Sequence, residues 1–142
     1  MRRAIELARE SFNEGEVPVG AIIVQDEKII GEGKNKVISD NDVTSHAEIN
    51  AIREASKNIK NYRLNECYMY VTLEPCHMCA KAAVDARLSS IIFAALEPKT
   101  GSIISIDNFF DKKELNHSPS YQYGLLKEES SKLLKDFFRL RR

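Results

Sequence analysis

The chain has 142 residues, 43% of them hydrophobic and 30% charged, which predicts one domain burying roughly 68–70% of the surface it would expose unfolded. Its 21 basic residues balance 21 acidic ones, excluding a global field that would advertise nucleic acid or membrane, and no apolar stretch approaches the ~20 residues of a membrane span. Three cysteines, Cys67, Cys76 and Cys79, with no apolar leader, exclude a secreted disulfide framework and point to a reducing compartment, the cytoplasm by default.

Met1, Ile5, Ala8 and Phe12 recur at helical spacing and predict an amphipathic helix from residue 2 to about 14, ended by Gly15 ahead of Pro18. Val19 to Val24 is an apolar run suited to a buried strand. A polar turn over Gln25 to Lys28 leads into a second short strand, Ile29 to Gly33, completing a hairpin. The turn-rich segment Asp40 to Thr44 precedes a helix over roughly 46–57, with Ile49, Ile52 and Ala55 on one face. Tyr68 to Leu73 has the aromatic and β-branched content of a strand, and Pro75 opens a helix over Cys76 to Arg87. Ile91 to Ala95 is the next strand. Residues 98–120 read as irregular, with an apolar patch at Ile103, Ile104, Phe109 and Phe110. Leu126, Leu133, Phe137 and Leu140 predict a last amphipathic helix from about Leu125. The alternation of helix and strand predicts an α/β domain with helices on both faces of one sheet and right-handed crossovers.

His46, Cys76 and Cys79 form a mixed nitrogen–sulfur set that zinc accepts, and three protein ligands leave a fourth position open for water. Cys76 and Cys79 stand at a predicted helix start, where unpaired amides and the helix dipole favour thiolates; His46 stands at another. Glu48 follows His46 by two residues, about 200° away on a regular helix. The two share a pocket only if the helix begins between or just around them. A carboxylate beside a water on the metal is suited to moving protons. The cysteines admit two other readings. C-x-x-C also serves as a redox pair, and a closed structural zinc would draw a fourth ligand from Cys67, His77 or His117. Cys67 reads better as a small core residue and His77 as a solvated one, so the open catalytic site is favoured.

His46-Ala47-Glu48, followed 30 residues after the histidine by Pro75-Cys76-His77-Met78-Cys79, resembles the H-x-E…P-C-x-x-C signature of zinc-dependent nucleobase deaminases. The resemblance extends over essentially the whole chain. It is strongest in Glu16-Val17-Pro18-Val19-Gly20-Ala21, in Thr44 to Ile49 and in Tyr70 to Cys76. Asn35, Lys99-Thr100-Gly101, Asn116-His117 and the ending Phe137-Phe138-Arg139-Leu140-Arg141-Arg142 narrow it to the bacterial tRNA-specific adenosine deaminases. That family implies a three-layer α/β/α cytidine deaminase-like fold with a mixed five-stranded sheet. It also implies Zn2+, one ion per subunit, on His46, Cys76 and Cys79, with Glu48 as the catalytic acid and base. Its members act as homodimers on a tRNA anticodon stem-loop, mainly that of an arginine tRNA in bacteria, converting the wobble adenosine to inosine.

By the same resemblance Asn35 reads the purine edge, Lys99, Thr100 and Asn116 line the substrate side, and Phe138 and Arg139 engage the RNA. The residues taken alone also admit plainer readings. Asn35 could be an ordinary strand-end asparagine, and the terminal arginines a solvated end. Phe137 falls in the core register of its helix, whereas Phe138 could pack or stack on a base. A deaminase of free bases or nucleosides and a non-catalytic zinc or RNA-binding module are the competing functions. Against the family pattern, Val43 replaces a common proline before the zinc histidine, Glu97 a usual aspartate, Leu96 a frequent arginine and His77 a small apolar residue.

Overall fold

The computed structural model describes residues 1–142. Helix α1 (Arg2–Asn13) leads into the hairpin β1 (Gly20–Gln25) and β2 (Lys28–Lys34). A single helical turn, α2 (Val37–Asp40), precedes α3 (Ala47–Ile59), and β3 (Tyr68–Leu73), α4 (His77–Asp85) and β4 (Ser90–Ala95) follow in alternation. A 3-10 turn at Phe109–Asp111, the strand β5 (Ser120–Tyr123) and helix α5 (Lys127–Leu140) complete the chain.

The sheet order is β2-β1-β3-β4-β5. β1 runs antiparallel to β2 and β3, while β3, β4 and β5 are mutually parallel, so the sheet is mixed. Its two faces follow from strand alternation. Ala21 and Ile23, Met69 and Val71, and Ile91 and Phe93 share one face, where they join Ala47, Ala51 and Ala55 of α3 and Ala80, Ala83 and Val84 of α4 in one core cluster. The other face is covered by α1 and α5, which touch each other as well as β1 and β4. Three layers result, as expected.

Helix α3 lies at backbone contact with the sheet. Ala47, Ala51 and Ala55 form a fully buried stripe at four-residue spacing over the glycines of β2. A Cβ on Gly33 would stand 2.1 Å from the Ala47 carbonyl oxygen and 2.4 Å from the Ala51 nitrogen, so only glycine fits. This contact sets the height of α3, and with it the position of its first residues.

Two elements, β5 and α2, lie almost wholly in stretches to which the sequence reading assigns no element, 121–123 and 37–39. All four residues of β5 are exposed, which removes the apolar alternation that marks a strand. It forms on the sheet edge by pairing Ser90 with Ser120 through Phe93 with Tyr123. α2 spans four residues, too few to show a helical period.

Candidate active site

The strand ends that converge on one edge of the sheet carry the candidate residues. Gly20 opens β1 opposite Lys34 at the end of β2, beside the last residues of β3 and β4, where Leu73 pairs with Ala95. His46 is the N-cap of α3 with extended backbone (φ −74°, ψ 154°), and Cys76 is the N-cap of α4 (φ −74°, ψ 174°). Ser, Thr, Asp and Asn usually fill this position and bond back to the helix amides. Neither His46 nor Cys76 does so, which leaves both side chains available to a ligand.

His46 Nδ1 lies 3.7 Å from Cys76 Sγ and 3.5 Å from Cys79 Sγ, and the three donor atoms all fall within 4.8 Å of one another. Tetrahedral zinc with the usual Zn–N and Zn–S bonds separates its nitrogen and sulfur ligands by about 3.6 Å. The trio therefore fits that ion in chemistry and spacing. Other donors are engaged elsewhere. Cys67 is fully buried and bonds the Asn65 carbonyl; His77 Nε2 pairs with Asp107 at 2.8 Å and stands edge-on to Phe109; His117 Nε2 bonds the Leu88 carbonyl. The structure thus brings together three donors, His46, Cys76 and Cys79.

The hydrogen bond from Cys79, aided by His46, draws the Cys76 thiol down to about 4 against the opposing effect of burial. Cys79 is pushed up by its role in that bond and by burial. Glu48 is buried, and loss of solvation raises its carboxyl to about 7, opposed by a backbone amide and by His46. A carboxyl with both protonation states accessible near neutral pH is matched to proton transfer.

His46, Glu48 and Cys76 open into one cleft of about 310 Å³ whose walls include Val19, Asn35, Ile38, Leu73 and Thr100. Asn35 is anchored by its backbone, its nitrogen donating to Val19 and its oxygen accepting from the Ser11 hydroxyl, both at 3.0 Å. Its side-chain amide is left free toward the cleft. Lys99 stands beside Thr100 on the rim, exposed, its amide on the Glu97 carboxylate.

Asn116 requires a correction to its expected place. Its carbonyl accepts from Arg87, next to Leu88 and the start of β4, so within this chain it lies at the end of the sheet opposite the cleft. Phe138 and Arg139 lie exposed on α5 and outside the cleft wall. Phe137 is buried against Phe12, with the Arg141 guanidinium 4.5 Å above its ring. Arg141 also bonds the Gly15 carbonyl at 2.6 Å, tying the tail to the segment that continues into the cleft wall at Glu16 and Val17.

Two carboxylates to which the sequence assigns no role, Glu16 and Glu74, are buried. Glu16 accepts from the amides of Ile38 and Ser39, capping α2 from outside its own segment. Glu74 accepts from the amides of Glu97, Ile104 and Ser105 and from the Ser105 hydroxyl. Burial would raise Glu74, but these bonds outweigh it and hold the carboxyl below its ordinary range. Each splints one loop wall of the cleft. The available signal was an isolated acid beside proline and apolar residues, a position tolerated only when every oxygen is bonded.

The sequence matches the MafB19-like deaminase family over residues 1–142. The tRNA-specific adenosine deaminase of Haemophilus influenzae is 49% identical over 143 residues, spanning 100% of this chain and 83% of the relative. A solved structure from studies of A-to-I editing by tRNA:A34 deaminases at the wobble position of transfer RNA is 40% identical, with a TM-score of 0.92 over 94% of this chain and 97% of that one. A guanine deaminase from Bacillus subtilis is 37% identical, with a TM-score of 0.66 over 99% of this chain and 90% of that one.

Proposed function

Because this chain belongs to the tRNA-specific adenosine deaminases, within the MafB19-like deaminases, we propose that it converts adenosine to inosine at the wobble position of a tRNA anticodon, that of an arginine tRNA. It does so as a single zinc-dependent deaminase domain over residues 1–142, acting as a homodimer on the anticodon stem-loop in the cytoplasm. No helix is long and apolar enough to cross a membrane. The observation that carries the reading is the opening of buried Glu48 into the same cleft as the His46–Cys76–Cys79 cluster.

His46, Cys76 and Cys79 would hold one Zn2+. When bound, the ion supplies a Lewis acid that makes water a nucleophile near neutral pH. Glu48 accepts the proton released by the water that attacks C6 and carries it to ring N1; it then takes the remaining proton of the new C6 hydroxyl and gives it to the departing 6-amino group as the C6 carbonyl forms. One water is consumed, ammonia leaves, and inosine remains. The Asn35 amide offers one donor and one acceptor to the purine edge, and Thr100 faces it from the opposite loop. Phe138 and Arg139 serve the surrounding RNA, by stacking and by phosphate contact respectively.

The resemblance to a guanine deaminase supports a second reading, deamination of a free purine. Incubating the zinc-loaded protein with an arginine-tRNA anticodon stem-loop, and separately with adenosine, guanine and cytidine, decides between them. Inosine in the RNA with the small molecules unchanged is the expected result. Turnover of a free base with untouched RNA would replace the first reading by the second.

A further inference from the structure

Two residues on either side of the α2 segment line the same cleft: Asn35, which follows β2, and His46, which caps α3. Ten residues, among them the four of the α2 turn, separate them, so something must fix their spacing. Asn50 lies one turn into α3. Its side-chain nitrogen donates to the Lys34 carbonyl oxygen at 3.0 Å and to the Ser45 hydroxyl oxygen at 3.0 Å. The Ser45 hydroxyl in turn donates to the Asp40 carboxylate at 2.7 Å.

The direction of this chain is forced. A carbonyl and a carboxylate can only accept, so the Ser45 proton points to Asp40 and both Asn50 protons are used. Asn50 thereby clamps the residue before Asn35 to the residue before His46. Asp40, on the intervening turn, terminates the relay, and the Lys36 amide donates to the Ser45 carbonyl at 3.0 Å inside the same loop. Ser45 is fully buried, where an unmade hydrogen bond is costly. Leucine at 50 would keep the volume and lose both donors; aspartate would reverse the polarity.

We propose that Asn50, acting through Ser45, is a positioning residue that sets the distance between Asn35 and His46 and so the affinity of the cleft for the base. The proposal rests on the adenosine-deaminase reading for its kinetic consequence, but not for its structural one. Asn50→Leu, Ser45→Ala and the double variant are prepared with zinc, and compared with wild type by hydrogen exchange and by kinetics on the anticodon stem-loop. Faster exchange confined to residues 35–46 in each variant, with the exchange of β3 and α1 unchanged, is expected. KM should rise about tenfold with kcat within threefold, and the double variant should match the worse single one, because both act through one relay. Exchange at residues 35–46 equal to wild type in Asn50→Leu would overturn the proposal whatever the substrate proves to be. Additive KM effects, or lowered thermal stability with KM unchanged, would also overturn it. Absence of inosine with the wild type refutes the functional reading instead, and the exchange data then decide the brace alone.

Discussion

Helix α3 begins at Ala47, between His46 and Glu48, and that single boundary lets two residues that a continuous helix would send apart open into the same cleft. His46 keeps extended backbone as the cap, while Glu48 is already helical and buried. The boundary is held by packing. Ala47 sits on Gly33 at backbone contact, and the loop before His46 is pinned to β2 through Asn50. Sheet, helix start and buried Glu48 are parts of one arrangement.

The height of α3 is the most exposed dependence of that arrangement. Gly33→Ala places a methyl into the Ala47 carbonyl, and overpacking of this kind costs about 1–3 kcal/mol. Denaturant unfolding should show that loss. Metal content should fall with it, because His46 moves with the helix. Unchanged stability would mean the contact is looser than the structure has it.

Metal removal gives a second test. Chelation should lower the thermal midpoint, and zinc should restore it, since binding to the native cluster alone adds stability by linkage. Cys79→Ala and Cys76→Ala should each take bound zinc from one ion per chain to none by elemental analysis.

Adjacent phenylalanines near the end of α5 should behave in opposite ways. Phe137 is buried between Phe12 and Arg141, and Phe137→Ala should cost about 3–5 kcal/mol. Phe138→Ala should leave stability within about 0.5 kcal/mol and weaken RNA binding. Arg139→Ala should reduce the salt dependence of that binding. The measurements are unfolding curves and stem-loop titrations at several ionic strengths.

The ion pair between α1 and β2 should give a pH-dependent contribution. Arg3 donates to both oxygens of Glu32, at 3.0 and 2.8 Å, and the bond holds the Glu32 carboxyl below its ordinary value. A lowered folded value means stability that is present above the unfolded value and lost as pH falls through the folded one. Glu32→Gln should therefore cost up to about 1 kcal/mol at pH 7, given the partial exposure of both groups. The difference should close in acid.

Most of this molecule was legible because its helices and inner strands obey clear periods. The four long helices and four of the strands fall within a few residues of where Ile5, Ile22, Val71 and Phe137 and their neighbours predict them. The convergence of His46, Cys76 and Cys79 was legible from residue type and spacing alone. What stayed hidden depends on exposure or on distant contacts. β5 carries no buried face, and Asn116 follows Arg87 to the far end of the sheet. Glu16, Glu74 and Asn50 act through backbone groups of other segments, which no local pattern records.

The central claim, that Glu48 moves protons for adenosine hydrolysis in a zinc-loaded cleft, is met most directly by one comparison. Wild type and Glu48→Ala, both folded and carrying zinc, are given the same arginine-tRNA anticodon stem-loop, and inosine at the wobble position is measured. The account predicts inosine from the wild type and a rate lowered by about 10²–10⁴-fold in the variant, the range for a lost general acid and base. Equal rates from the two proteins would contradict it.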